Sequence, residues 1–234
     1  YYIMANDYYG KIGFRFRPEI ERPDPKWAKK LMEEDYSTPY LSDGMMKLYT
    51  MNSEIHQLFI APKMAGPAVT VKCCSADNLA LQKVFDYVKP GDVLVVETQG
   101  CTSYAVCGDI MVSVMIKLGV AGLIVDGCVR DIENLRNMGL PVFARGTVCG
   151  SGHKDGPGEV NFPLACGGIV VNPGDLIFGD ENGIVCVPKD DIEEAMAGAD
   201  AKKIADANRV REVGEGLFVK PGIDDILRKK GILK

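Results

Sequence analysis

The sequence predicts an α/β protein, a single layered domain with a central β-sheet covered by helices. Three observations predict it. From Gly66 to Phe143 apolar β-branched runs alternate with segments of helical period, which implies a sheet with helical cover. From Gly167 to Pro188 the pattern changes to short strands separated by turn residues. A long polar-faced segment with helical composition then follows, leaving helical arms at both ends of one core.

The first stretch, residues 1–39, reads as an N-terminal arm. FRPEIERPDPKW (16–27) is rich in Pro and charge and reads as irregular, and a helix is predicted from about Pro25 to Glu34. The core, residues 40–188, opens on a second helix capped by Ser42, with Asp43 in its first turn, running to Tyr49. GPAVTVKCC (66–74) alternates and is β-branched, so it reads as a strand. Asp77 caps a helix over Asn78 to Val88, and Pro90-Gly91-Asp92 turns into the strand VLVVET (93–98).

Asp109 opens a helix just after Gly108, and SVMIKLGVAGLIV (113–125) supplies its remainder, a break at Gly119 and a buried strand. Asp126-Gly127-Cys128-Val129-Arg130-Asp131 follows, placing Arg130 and Asp131 between that strand and the next helix. Pro141-Val142-Phe143 continues the rhythm. GTVCGSGHKDGPGEVNFP (146–163) is Gly-rich and reads as a flexible loop over a site, carrying Lys154 as a candidate partner for a substrate carboxylate. Then come GGIVV, a Pro173-Gly174-Asp175 turn, LIF, an Asn182-Gly183 hairpin signal and IVCVP. Residues 189–234 hold a helix over about Asp190 to Arg211 and a short one near Asp224 to Lys230. The arms before residue 40 and after residue 215 have little apolar content for packing on their own chain, so they are expected on a neighbouring subunit.

Composition excludes several functions. The chain has 234 residues, 47% hydrophobic and 25% charged, as ordinary globular proteins do. No apolar run approaches a bilayer span, and the opening YYIMANDYYGKIGFRF shows no secretory signal, so a cytoplasmic protein without a membrane partner is expected. A net charge of −5 argues against nucleic acid as a partner, and the Lys202-Lys203 cluster reads as a solvated face. The eight Cys form no C-x-x-C pair and there are two His, which argues against zinc. Cys73, Cys128 and Cys186 lie in apolar runs and suit a reducing compartment. His56 and His153 read as structural or solvent-facing. Neither a Ser-His-Asp set nor a phosphate loop is readable.

What remains is carboxylate-and-arginine chemistry. A fold that joins the ends holding Asp109, Arg130 and Asp131 collects two carboxylates, a guanidinium and helix N-terminal N–H groups in one cleft. Capping is the plainer role for either Asp. Arg130 needs another reason, and its fork matches a carboxylate or an enolate oxygen. With a hard divalent cation, such a set suits formation of a pyruvate enolate from a 2-keto acid.

GDIMVSVMIKLGVAGLIVDGCVRDIENLRNMGLPVFARG (108–146), with GPAVTVKCCSADNLALQ before it and VNPGDLIFGDENGIVCVP after it, resembles one known family. That family joins the class II 4-hydroxy-4-methyl-2-oxoglutarate/4-carboxy-4-hydroxy-2-oxoadipate aldolases with the regulator of ribonuclease activity A. The likeness covers about residues 40 to 216. It implies the RraA-like swivelling α/β/β fold, Mg²⁺ or Mn²⁺, and a homotrimer or a hexamer made of two trimers. It implies Arg130 for the keto acid, Asp131 as direct metal ligand and Asp109 as holder of metal-bound water. The backbone from Gly108 through Ile110 to Met111 then faces substrate, as does Asn78. Two further acids come from a neighbouring subunit in the family, and by ungapped spacing they fall on Asp43, as the base, and Asp206, at the metal. Both are Glu in the family's aldolases. The activity implied is cleavage of a 4-hydroxy-2-keto acid to pyruvate and a second keto acid, with oxaloacetate decarboxylation through the same enolate. The alternatives are a non-catalytic regulator that binds ribonuclease E, whose counterparts lack the long C-terminal helix, and a decarboxylase for another keto acid.

Overall fold

The computed structural model describes residues 7–234. The first six residues of the expected N-terminal arm, and of the opening read for a secretory signal, lie outside the described residues.

The chain begins with a hairpin, β1 (Tyr9–Lys11) and β2 (Phe14–Phe16), then α1 (Lys26–Glu33), α2 (Thr38–Gly44), β3 (His56–Gln57) and β4 (Met64–Cys73). Next come α3 (Leu79–Lys83), prolonged by a 3₁₀ turn, β5 (Val93–Glu97), β6 (Ala105–Cys107) and α4 (Asp109–Lys117). β7 (Gly122–Val129), α5 (Ile132–Met138), β8 (Val142–Thr147) and β9 (Gly158–Val160) follow. The last third holds β10 (Leu164–Cys166), β11 (Ile169–Val171), β12 (Leu176–Asp180), β13 (Gly183–Val187), α6 (Ile192–Gly214) and α7 (Ile223–Lys229).

β4, β5, β7 and β8 form a parallel array in that spatial order. Each crossover carries a helix, and right-handed connection places all three on the same face. Ala80 and Leu81 of α3, Met111, Val112 and Met115 of α4 and Leu135 of α5 accordingly pack on Val71, Val96, Leu123 and Val125. The opposite face holds Ala68, Val95, Ile124 and Phe143 against Leu164, Cys166 and Val171 from β10 and β11. With both faces covered, the central strands can be apolar throughout, and β7 is buried along its whole length. β12 and β13 extend the first half of β4 and carry α1, α2 and α6. Among the described residues no helix is long and apolar enough to cross a membrane.

Three expectations change. The second helix runs over Thr38–Gly44 instead of Ser42 to Tyr49. Thr38 starts it by donating its N–H (2.8 Å) and hydroxyl (2.7 Å) to the buried Asp180, while Met46 and Lys47 end it at positive φ. Ser42 and Asp43 therefore sit in its last turn. The 146–163 segment is not all loop, because Gly158–Val160 pairs antiparallel with β4. The N-terminal arm packs on its own chain, with Leu31 and Tyr36 buried and Arg22 forked onto Asp92 at 2.8 and 2.8 Å. Hydrogen-bonded edges and charged forks supply what apolar content alone does not.

Arg15 likewise forks onto Glu159 at 2.6 and 2.8 Å, joining β2 to β9. That guanidinium holds the Glu159 carboxyl below the usual carboxylate range. A depressed folded-state pKa adds stability above the unfolded pKa, which is lost as pH falls through the folded value. Glu159→Gln should thus lower the melting temperature near neutrality, with the gap to wild type closing as pH falls below the usual carboxylate range. A gap independent of pH contradicts the assignment.

Candidate active site

The carboxyl ends of β6 and β7 lie side by side, and α4 and α5 start from them. The Arg130 N–H donates to the Cys107 carbonyl at 3.0 Å, fixing the two chain segments together. Asp131 then takes a left-handed backbone (φ 61°, ψ 37°), which Asp tolerates better than most residues. Its carbonyl accepts the Leu135 N–H at 3.0 Å to begin α5, but its carboxylate makes no cap on that helix. The carboxylate turns instead to the start of α4, where Oδ2 accepts the Asp109 N–H at 3.3 Å. Arg130 Nε lies 3.5 Å from the same oxygen.

Gly108 is what permits this approach. A β-carbon there would lie 2.1 Å from Asp131 Oδ2 and 3.0 Å from Arg130 Cγ. Gly108→Ala should push the Asp131 carboxylate aside and lower turnover about a hundredfold, the scale of a 1 Å misplacement. The fold should survive, since the displaced group is half exposed. Normal turnover in Gly108→Ala excludes Asp131 from the chemistry.

Asp109 leaves its own helix uncapped as well. Its Oδ2 accepts from the Asn134 side-chain amide at 2.6 Å, which holds the carboxyl below its usual range and keeps it ionised. Across the cleft, Asn78 is buried at the start of α3, donating Nδ2–H to the Val106 carbonyl at 2.8 Å. Its Oδ1 is buried with no partner among the described residues. A cavity of about 190 Å³ results, and Asn78, Gly108, Asp109, Ile110, Met111, Arg130, Asp131 and Lys154 all line it. Met111 turns its side chain into the core, so its backbone is what it offers the cleft. Ile110 is 77% exposed at the rim. Lys154 reaches the cavity from the Gly-rich loop and has no ion pair among the described residues.

Gln82, Ser151 and Asn134 were not expected from the sequence; Gln82 and Ser151 line the cavity, and Asn134 orients Asp109. Asn134 could have been found three residues after Asp131, one turn along the same helix. A wider hollow, about 340 Å³, adjoins Arg130 and Asp131 on their other side, lined by Thr147, Val148 and the exposed Cys149.

Asp43 and Asp206 do not line this cavity. Gly44 and Gly198 bring the backbones of α2 and α6 into contact, where a β-carbon on Gly44 would lie 2.7 Å from Gly198 C. One turn further on, Lys202 Nζ sits 3.2 Å from Asp43 and 2.6 Å from Asp206. Lys202 thus does not read as a solvated face; it joins the two acids and holds the Asp43 carboxyl below its usual range.

Among the described residues no three His, Cys, Asp or Glu gather as a metal cage. Asp131 and Asp109 offer oxygen donors, beside the unpartnered Asn78 Oδ1. That donor set fits a hard cation that keeps most of its waters, as Mg²⁺ does with one or two carboxylates.

These features define an α/β protein with a small, mixed-charge cleft at the carboxyl ends of its parallel strands. The chain belongs to the RraA-like family, described as Aldolase/RraA, whose model matches residues 38–186. A protein of Halalkalibacterium halodurans, provisionally named a 4-hydroxy-4-methyl-2-oxoglutarate aldolase, is 37% identical over 77% of this chain and 86% of its own. The crystal structure of RraAS2 from Streptomyces coelicolor, described as an unusual member of the RNase ES inhibitor RraA protein family, superposes with a TM-score of 0.72 at 30% identity. It covers 82% of this chain and 99% of that one. An uncharacterised protein of Pseudomonas syringae superposes with a TM-score of 0.75 at 27% identity, over 85% of this chain and 92% of that one. The family thus holds both lyases and regulators by name.

Proposed function

We propose that this chain is a divalent-metal-dependent lyase that cleaves a 4-hydroxy-2-keto acid to pyruvate and a second keto acid, and that it decarboxylates oxaloacetate at the same site. The observation that carries this reading is the uncapped Asp131 carboxylate beside Arg130, whose side chain has no other ion pair among the described residues. A regulator docking through this face would not need a carboxylate and a guanidinium facing one cleft with only a loose 3.5 Å ion pair between them.

Asp131 would hold Mg²⁺ or Mn²⁺ directly and Asp109 through water, and the cation, when bound, supplies Lewis acidity to the keto acid's carboxylate and carbonyl. Arg130 presents its fork to the C2 oxygen and stabilises the negative charge that gathers there as the C3–C4 bond breaks. Lys154 and the first-turn N–H groups at Ile110 and Met111 bind carboxylate oxygens. For aldol cleavage a base takes the C4 hydroxyl proton, the C3–C4 electron pair moves into the C2 carbonyl, and the enolate is then protonated at C3. Oxaloacetate loses CO₂ to reach the same enolate without that base.

Asp43 supplies the base and Asp206 the neighbouring charge from an adjacent subunit of a ring-like trimer or hexamer. Two exposed apolar patches support head-to-tail packing: Ile110 and Val114 at the cleft's rim, and Met46, Leu48 and Tyr49 next to Asp43. A cytoplasmic location accords with eight cysteines that are all free thiols.

A coupled pyruvate-release assay over a panel of 4-hydroxy-2-keto acids and oxaloacetate tests the reading. Release with Mg²⁺ or Mn²⁺, abolished by EDTA and restored by the metal, is expected. Full activity in metal-free protein, or no release from any keto acid, contradicts it.

A further inference from the structure

The Gly-rich loop that carries Lys154 is tied to the cleft through Asp77. This carboxylate is 4% exposed and meets no cation at ion-pair distance among the described residues. Its Oδ1 accepts the N–H of Leu79, the first residue of α3, at 2.8 Å, from the position before the N-cap Asn78. Its Oδ2 does something the start of α3 does not require, accepting the N–H groups of Asp155 at 2.7 Å and Gly156 at 2.9 Å. Around it, the Asn78 N–H donates to the His153 carbonyl at 3.0 Å and the His153 N–H to the Ala76 carbonyl at 2.6 Å. On its other side the loop is laced to β6, with Ala105 N–H donating to Gly150 at 2.7 Å and Gly152 N–H to Ala105 at 3.2 Å.

Lys154 precedes one residue held by Asp77, and Asn78 follows Asp77 itself. We infer that Asp77 is a positioning residue that locks the Lys154 loop to the Asn78 turn, so that Lys154 is set at a fixed reach for the second carboxylate of a dicarboxylic keto acid. Charge-assisted bonds to backbone N–H groups are about twice as strong as neutral ones, and two of them hold the loop here. Losing them leaves Lys154 charged and close by but poorly aimed, which weakens substrate binding without touching the enolate chemistry at Arg130. The inference rests on the proposed function for its substrate, while its mechanical part stands on the hydrogen bonds alone.

Asp77→Ser separates the two roles. Serine keeps a side-chain oxygen that can accept the Leu79 N–H two residues on but is too short to reach the loop. Asp77→Ser, Lys154→Ala and the double variant are compared for KM and kcat with a dicarboxylic 4-hydroxy-2-keto acid, whose second carboxylate is not lost in the cleavage, and for backbone amide exchange over residues 150–156. Each single variant should raise KM about tenfold with kcat little changed, and the double should be no worse than the larger single, as residues acting through one contact behave. In Asp77→Ser the loop amides should exchange faster while the core strands keep wild-type protection. Multiplying KM effects in the double variant, or wild-type loop protection in Asp77→Ser, overturns the inference. If the wild-type chain turns over no keto acid, the proposed function fails separately, and the exchange result decides whether Asp77 holds the loop.

Discussion

Arg130→Ala is expected to lower kcat for oxaloacetate decarboxylation and for aldol cleavage alike, by about a hundredfold or more. A charged donor aimed at a developing oxyanion contributes about 3 kcal/mol to the transition state, and both reactions pass through one enolate. Arg130→Lys should recover little, because an ammonium cannot reproduce two parallel N–H donors. Stability should hardly move. The Arg130 side chain is 40% exposed and its ion pair to Asp131 spans 3.5 Å, so folding gains little from it. Steady-state kinetics and a melting curve separate the roles: near-normal turnover with a lowered melting temperature would make Arg130 a structural tie.

Asp43→Ala should split the two reactions. If its carboxylate serves the C4 hydroxyl of a substrate bound to the next subunit, aldol cleavage should fall by about 10²- to 10⁴-fold, the range for general-base catalysis. Oxaloacetate decarboxylation needs no such base and should survive. Lys202 holds the Asp43 carboxyl below its usual range, so loss of the base by protonation should not limit the rate near neutrality. Both activities measured on one preparation settle the matter, and equal loss of both removes Asp43 from the base role.

Much of the candidate cleft was legible in the sequence because its parts sit at ends of strongly patterned elements. The wholly buried, largely apolar β7 and the helical run after Asp109 leave little freedom in where Arg130 and Asp131 emerge. What the sequence could not show is where the carboxylates point. Asp131 stands at an N-cap and Asp109 in the first position after one, and the left-handed backbone at Asp131 together with the bare Cα of Gly108 turns one carboxylate across to the other helix. The misplaced second helix has a local cause, since Ser42-Asp43 imitates a start, whereas Ser37-Thr38-Pro39, with Pro in the first turn, was the better signal. β9 was missed because Gly158, Glu159 and Val160 carry no strand pattern; β4 and Arg15 hold them from far along the chain. Lys202 was misread for a related reason: Asp206 is one turn along its own helix, but Asp43 reaches it from α2, far along the chain.

The enolate itself can be observed without knowing the physiological substrate. Pyruvate incubated with the protein and Mg²⁺ or Mn²⁺ in D₂O should lose its methyl proton signal by NMR as C3 exchanges, since exchange requires the C2 oxygen to carry enolate charge. Exchange in the wild type that is removed by EDTA and by Arg130→Ala is the predicted result. A methyl signal that persists with metal present, or exchange that continues unchanged in Arg130→Ala, would contradict the account.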